Sequence, residues 1–311
     1  MSLLSLKIAE EYEPFMVWNG PNLTNAFEDE LISRGIACLA CGPSQQIDYY
    51  KAEGQTKEYI KNSDHYRQLQ MGQWPRKSQS FWNEIEELLA GVKYFEFTGG
   101  EPMMIKEHFE VLRKSVQLGH SHEQMIHYNT NGTQFPEAEI KELFPHFKSV
   151  HVAFSIDDVE EQFEYQRYPA KWDEVNENIL KFKNSGLKNL STQVCTTMNL
   201  FNIAYLDELV PYIDEWQPDF WYMNTLHQPT EFDIQQLPKD IKSFISKKLK
   251  QAKTRKEEMN TAIQYLNSEP NKYIKDYKNA IAEKIRTIDI AREENFKKVF
   301  PLLNKMLEIY E

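Results

Sequence analysis

The sequence predicts an α/β fold built on a parallel sheet and followed by an all-helical stretch. Three observations predict it. Between about residues 80 and 230, short β-rich runs alternate with helical patterns, the arrangement that repeated βα units produce. Each run is followed at once by hydroxyl, amide or carboxyl residues, as strand ends facing a ligand cleft are. From Leu237 onward the text turns to lysine- and glutamate-rich helical patterning with no strand signal. With 41% hydrophobic and 27% charged residues among 311, the chain has globular composition, which excludes a disordered or collagen-like one.

The elements follow in order. Residues 80–91 put Trp82, Ile85, Leu88 and Leu89 on one stripe and predict a helix; Val92-Lys-Tyr-Phe-Glu-Phe97 predicts the strand after it. A helix over 105–118 leads to a strand at Gln124-Met-Ile-His-Tyr128. Pro136 opens a helix over 137–143, before a strand at Ser149-Val-His-Val-Ala-Phe154. Residues 158–185 read as helical with a break near Pro169. A strand over 190–196, a helix over 206–216 and a strand at Phe220-Trp-Tyr-Met223 complete the series. Asp29-Glu-Leu-Ile-Ser33 supplies a first strand, giving six βα steps. The reading divides the chain into an N-terminal extension (1–28), a sheet-and-helix unit (29–236) and a helical C-terminal region (237–311).

Charge and cysteine content narrow the function. The 36 Lys+Arg against 47 Asp+Glu give a formal charge of −11, with the signs interspersed, which disfavours duplex nucleic acid as a partner. No apolar run approaches the ~18 residues that span a bilayer, and the start meets Glu10, Glu11 and Glu13 too soon for a secretory signal, so the expected location is cytoplasmic and no membrane contact is expected. Three cysteines are too few for a disulfide scaffold. The Lys247–Lys253 run reads as a solvated helix face, and Phe220, Trp221 and Tyr222 read as core packing.

The residues after the strands carry the chemistry. Cys38 and Cys41 follow the first, Thr98-Gly-Gly-Glu-Pro102 the second, and Asn129-Thr-Asn-Gly132 the third. Ser155-Ile-Asp-Asp158 follows the fourth, Thr196, Thr197 and Asn199 the fifth, and Asn224, Thr225 and His227 the sixth. Such a ring suits a small polar ligand with amine, carboxylate and ribose groups. Gly99 and Gly100 let backbone approach a ligand closely, with Glu101 placing a carboxylate beside it; the same three residues also fit a tight βα turn.

Cys38-Leu-Ala-Cys41-Gly-Pro43, Phe97-Thr-Gly-Gly-Glu-Pro102, Tyr128-Asn-Thr-Asn-Gly132 and Ser155-Ile-Asp157 with Tyr165-Gln-Arg167 stand in the order and approximate spacing of the radical S-adenosylmethionine (radical SAM) superfamily. Over residues 29–237 the chain resembles that superfamily, and among its members those with a twitch domain. The resemblance implies a partial (β/α)6 TIM-like barrel with a helical C-terminal region and a 4Fe-4S cluster on cysteinates, Cys38 and Cys41 being the matching metal ligands. It implies S-adenosylmethionine on the open iron, cleaved reductively to a 5′-deoxyadenosyl radical that abstracts hydrogen from a substrate. Gly99, Gly100 and Glu101 match the stretch that holds the methionine amino group, Ser155 and Arg167 the positions that meet its carboxylate, and Asn129 or Asn131 a position near the ribose. The implied partners are a small-molecule or peptide substrate and a reductant such as flavodoxin or ferredoxin.

Two positions depart from that pattern. In the cluster loop C-x-x-x-C-x-x-C the first cysteine is replaced by Arg34, whose guanidinium stays protonated and cannot ligate iron, and the residue before the last cysteine, often aromatic, is Ala40. Loss of one thiolate weakens cluster assembly. Ser33 is a poor substitute, Cys195 reads as a buried structural thiol on the fifth strand, and His120 and His122 fall at a helix end. A zinc reading of Cys38-x-x-Cys41 lacks a second ligand pair, a thioredoxin-like dithiol reading clashes with six βα steps, and three cysteines leave no set for an auxiliary cluster. Two functions therefore stand: a radical SAM enzyme with an unconventional third ligand, or a cluster-free pseudoenzyme that binds S-adenosylmethionine or another small ligand, or serves as a scaffold.

Overall fold

The computed structural model describes residues 4–7, 15–19, 79–98 and 101–310. Seven strands form one sheet in which spatial order follows chain order: β1 (Leu4–Lys7), β2 (Phe15–Asn19), β3 (Tyr94–Thr98), β4 (Met125–Thr130), β5 (Ser149–Ser155), β6 (Leu190–Met198) and β7 (Phe220–Thr225). β1 pairs antiparallel with β2, and every later pair is parallel. Parallel neighbours need a crossover, and helices supply it: α1 (Gln79–Leu89) before β3, α2 (Lys106–Gln117) before β4, and α3 (Glu137–Leu143) before β5. α4 (Glu160–Gln166) and α5 (Trp172–Lys183) precede β6, and α6 (Leu206–Trp216) precedes β7. This is the α/β architecture of a partial (β/α)6 barrel, as the sequence predicts.

The two sheet faces differ in kind. Strand side chains alternate between faces, so one face carries Phe95, Phe97, Ile126, Tyr128, Val150, Val152, Phe154, Val194 and Trp221, all buried under the helices. The opposite face carries Tyr94, Glu96, His127, Asn129, His151, Ser155, Gln193, Cys195 and Thr197, which are only half-buried. Register aligns them in rows: Glu96 beside His127, His127 beside His151, Ser155 beside Cys195, and Cys195 beside Tyr222.

Helices α7 (Lys239–Leu249), α8 (Lys256–Leu266), α9 (Tyr277–Arg292), α10 (Phe296–Val299) and α11 (Pro301–Leu307) form the C-terminal region. It shares one hydrophobic core with the sheet-and-helix unit, α8 packing on β7 and α10 on α4. Its anchor is polar as well as apolar. The Tyr165 hydroxyl donates to Asp289 Oδ1 at 2.9 Å, and Tyr310 donates to Oδ2 at 2.7 Å. The Phe296 amide donates to both oxygens, while Arg292 Nη1 donates to the Tyr165 carbonyl at 2.8 Å. Around Tyr165, the rings of Phe201, Phe296 and Phe300 meet it edge-on or tilted, 5.1–6.1 Å between centroids. Among the described residues no helix is long and apolar enough to cross a membrane.

Three sequence readings change. The sheet neighbour of β3 is Phe15–Asn19, within the stretch read as an N-terminal extension; the segment 29–33, predicted to be the first strand, lies outside the described residues. Phe15-Met-Val-Trp18 is a short apolar run without alternation, and at that length periodicity alone does not tell a strand from another apolar segment. Strands β4 to β7 also continue two residues or so past their apolar runs, so Asn129, Ser155, Thr197 and Asn224 belong to strands rather than loops. Phe220 and Tyr222 point away from the core, 64% and 37% exposed, and only Trp221 of that trio is buried.

Candidate functional site

The carboxyl ends of β3 to β6 meet along one rim, where two braced corners stand out. The first forms where Glu101, directly after the loop that ends β3, turns its side chain inward and is fully buried. Its Oε1 accepts from the Thr130 hydroxyl at 2.8 Å and from the Met103 amide at 3.2 Å, capping the short 3-10 turn Pro102–Met104. Its Oε2 accepts from Thr130 at 2.9 Å and from the Asn131 amide at 2.8 Å. Burial pushes the carboxyl up to about 7, against the lowering effect of the Asn131, Thr130 and Met103 hydrogen bonds. The carboxyl group is thus taken up in tying the turn at Pro102–Met104 to the end of β4.

Below that corner, Tyr128 and His108 form a buried pair. His108 Nε2 lies 3.0 Å from the Tyr128 hydroxyl, and Nδ1 lies 2.5 Å from the Ile105 carbonyl. Burial pushes the imidazole down to about 3, so it is neutral: Nδ1–H donates to the carbonyl and Nε2 accepts from the phenol. Beyond Thr130 the chain turns at Gly132, with φ +79 and its carbonyl accepting from Asn178 Nδ2 at 3.0 Å. A Cβ at this position would stand 2.9 Å from Val175 Cγ1, so glycine is required by conformation and by space. The Asn131 side chain accepts from the Thr133 amide and hydroxyl at 2.9 and 2.7 Å, an Asx turn that fixes the loop.

The second corner lies at the ends of β5 and β6. Arg167 Nη2 donates to Asp157 Oδ2 at 2.5 Å, with side-chain exposures of 12% and 1%. Asp157 Oδ1 accepts from the Thr197 amide at 2.8 Å, and its carbonyl accepts from Asn202 Nδ2 at 2.9 Å. Next to it Asp158 is wholly buried, its carboxyl held well above the usual range by burial while it accepts from Gln166 Nε2 at 2.9 Å. Gln166 Oε1 accepts from Asn199, and Asn199 in turn caps the turn at Phe201. The ion pair therefore sits in a continuous hydrogen-bonded network that fixes the guanidinium beside the rim.

Between the corners runs a row of half-buried polar side chains on the open sheet face: Asn129 on β4, Ser155 on β5, and Cys195 and Thr197 on β6. Cys195 departs from the buried structural thiol that the sequence predicts, because it falls on the polar face and pairs in register with Ser155. Its Sγ lies 3.0 Å from Asn224 Nδ2, and burial raises the thiol while Asp157 and Arg167 act on it from nearby with opposite signs. Of the predicted site residues, Glu101, Asn129, Asn131, Ser155 and Arg167 all fall at this rim. Cys38, Cys41, Arg34, Gly99 and Gly100 lie outside the described residues. Sequence reasoning gave no role to Thr130, to His108, or to Asn202 as a partner of Asp157. Thr130 and Asp157 stood inside motifs already singled out, but their partners are brought close only by the fold.

Among the described residues no group of three or more His, Cys, Asp or Glu is arranged to hold a metal ion. The polar row and the fixed guanidinium fit a ligand with ribose and carboxylate groups, whereas the residues that the resemblance matches to a cluster, Cys38 and Cys41, lie outside the described residues, and Arg34 at the first position of that loop supplies no iron ligand.

Comparison with solved structures gives low-identity likenesses. Native anSMEcpe with bound AdoMet aligns at 16% identity over 81% of this chain and 63% of its own, with a TM-score of 0.48. Native anSMEcpe with bound AdoMet and the Cp18Cys peptide aligns at 17% identity over 56% of this chain and 51% of its own, with a TM-score of 0.42. SuiB of Streptococcus suis bound to S-adenosylmethionine gives 15% identity, 56% and 41% coverage and a TM-score of 0.39. In these alignments the chain spans between 41% and 63% of the length of the solved proteins that it matches. No curated protein sequence matches. The family model described as the Radical SAM superfamily matches residues 50–213, just over half of the 311, a span that includes both braced corners and begins after Cys41. The chain belongs to the Radical SAM superfamily.

Proposed function

We propose that this rim binds S-adenosylmethionine and that the protein cleaves it reductively to act on a substrate by hydrogen abstraction. The observation that carries the reading is the row Asn129, Ser155, Cys195 and Thr197, half-exposed on the open sheet face and ending beside a guanidinium that Asp157 holds in place. In this reading Arg167 and Ser155 meet the methionine carboxylate, Arg167 as a fixed cation and Ser155 as a hydroxyl donor. Asn129 meets the ribose, and the backbone of residues 99–101 meets the amino group. Glu101 acts as a positioning residue: it ties the Pro102–Met104 turn to the end of β4, and the Asx turn at Asn131 keeps the neighbouring loop in shape.

Cys38 and Cys41 are the residues assigned to a 4Fe-4S cluster, with a non-cysteine third ligand. A cluster held there would supply the electron for reductive cleavage of S-adenosylmethionine, drawing on a donor of the flavodoxin or ferredoxin kind. Beyond Cys38 and Cys41 the sequence holds only Cys195, which leaves no set for an auxiliary cluster and argues against the extended subgroup that carries such clusters beyond the barrel. Arg34 favours a second reading, in which the same rim binds S-adenosylmethionine without a cluster.

Anaerobic reconstitution with iron and sulfide separates the two. The enzyme reading expects close to four irons per chain and 5′-deoxyadenosine on adding S-adenosylmethionine and dithionite. A colourless product with less than one iron per chain overturns it and leaves the cluster-free reading. Restoring the thiolate in Arg34→Cys is expected to raise iron content, and an unchanged content contradicts the assignment of Arg34 to the first ligand position.

A further inference from the structure

We propose that the chain carries a second binding site, in the cleft between the loop after β7 and the α8–α9 connection, for a ligand bearing both an ammonium and a carboxylate, an amino acid or short peptide, with His227 as the residue it meets. The proposal goes beyond the rim site and holds whether or not a cluster forms.

The cleft has a volume of about 780 Å³ and is lined by His227, Glu231, Asp233, Lys272, Tyr273 and Lys275, among others. That size suits a small ligand, for which pockets of roughly 300–1,000 Å³ are usual. Its walls are tied together before any ligand arrives. The buried Gln236 side chain donates to the Lys272 carbonyl at 2.8 Å and accepts from the Ile274 amide at 2.9 Å, while the Tyr277 hydroxyl donates to the Glu231 carbonyl at 3.0 Å. Such prior ordering removes part of the entropic cost of binding.

His227 is set as a contacting group. Its side chain is 58% exposed, yet its Nδ1 lies 3.5 Å from Oδ2 of Asp233, whose side chain is 6% exposed, and 3.2 Å from the Tyr265 hydroxyl. Tyr265 Oη is in turn 3.4 Å from Asp233 Oδ1, which also accepts the Gln235 amide at 2.9 Å. Asp233 and Tyr265 thus engage Nδ1 and hold the ring in place, which leaves Nε2 clear of both. Nε2 stands 3.4 Å from the hydroxyl of Thr225, the last residue of β7, so the imidazole links the barrel rim to the cleft.

The charges decide the ligand class. Lys272 and Lys275 come from the α8–α9 connection, Glu231 and Asp233 from the loop after β7, so the lining carries no net charge and holds its two signs on separate segments. Glu231, Lys272 and Lys275 have no ion-pair partner among the described residues. A polyanion would meet two carboxylates and a polycation two ammonium groups, whereas a zwitterion satisfies both walls. Nε2 of His227 hydrogen-bonds the same ligand.

The test follows the His227 imidazole proton signal, assigned by its loss in His227→Gln, while the protein is titrated with four probes. These are a mixture of free amino acids, a mixture of random tripeptides, the same tripeptides acetylated and amidated, and inorganic tripolyphosphate. The expected result is a saturable shift with amino acids or with free tripeptides, the stronger of the two identifying the source, and several-fold weaker binding of the blocked peptides and by Lys272→Glu. The exposed Lys272 makes that variant safe for folding, and an unchanged spectrum elsewhere confirms it. A shift with tripolyphosphate alone, equal binding of blocked and free peptides, or no shift at millimolar probe overturns the proposal. Because no probe touches the cluster or S-adenosylmethionine, failure here is separate from failure of the rim reading.

Discussion

The Thr130 hydroxyl sits between the two carboxyl oxygens of Glu101, 2.8 Å from one and 2.9 Å from the other, and this contact fastens the end of β4 to the turn after β3. The fully buried acid is held as a brace, and its energetics set how the rim responds to pH.

Glu101 has a folded-state value of about 7 against 4.5 when unpaired, so the folded protein keeps a proton that the unfolded chain gives up. Its contribution is fully present below about pH 4.5 and is lost as pH rises through about 7, a swing of order 3 kcal/mol. Urea unfolding of wild type and Glu101→Gln between pH 4.5 and 7.5 checks this. The stability difference, wild type minus variant, is expected to fall with rising pH, and a flat or rising difference contradicts the brace.

His108 works in the opposite sense. Its folded value of about 3 lies below the unfolded 6.5, so the neutral ring stabilises the fold above about pH 6.5 and that contribution is lost as pH falls. Replacing it by phenylalanine leaves the buried Tyr128 hydroxyl without its nitrogen partner, at a cost of about 1–3 kcal/mol near pH 7. The same change removes part of the acid-side loss of stability, which a denaturation series from pH 4 to 7 reads directly.

The pair Asp157–Arg167 is buried on one side and nearly so on the other. Asp157→Ala removes the buried carboxylate from the pair and leaves the Thr197 amide without its acceptor, with an expected loss of about 3 kcal/mol in thermal or urea unfolding. Asp157→Asn keeps an oxygen for the Thr197 amide and is expected to cost less. A near-zero effect of the alanine change contradicts the network.

Gly132→Ala is strained twice, by its φ of +79 and by a Cβ 2.9 Å from Val175 Cγ1. A loss of about 1–3 kcal/mol is expected. Adding Val175→Ala relieves only the contact, so a double-mutant cycle separates space from conformation, and strict additivity contradicts the close approach.

Much of the architecture was legible because its signals are local. The helices over 137–143 and 206–216 start and stop as read, since Pro136 opens the first and both carry acids in the first turn and an apolar stripe. The break near Pro169 also stands, between Gln166 and Trp172. What the text hides is partnership across distance. Nothing near Glu101 announces that Thr130 and Asn131 consume its carboxylate, and nothing near Asp157 names Thr197 or Asn202 as its partners. Polar strand ends mislead for a related reason: Asn129 and Ser155 have the composition of loops, but the parallel ladder continues through them because the neighbouring strand offers its hydrogen bonds. His227 was placed at the end of the last strand, but Asp233 and Tyr265, which orient it, come from the following loop and from α8.

The central claim is that the rim between Glu101 and Arg167 binds S-adenosylmethionine, and its most direct test is anaerobic calorimetry of the reconstituted protein with that molecule. One site per chain is expected, with at least tenfold weaker binding when Ser155 and Asn129 are both changed to alanine and unchanged binding in His227→Gln. Absence of saturable heat, or equal affinity in the Ser155 and Asn129 double variant, contradicts it.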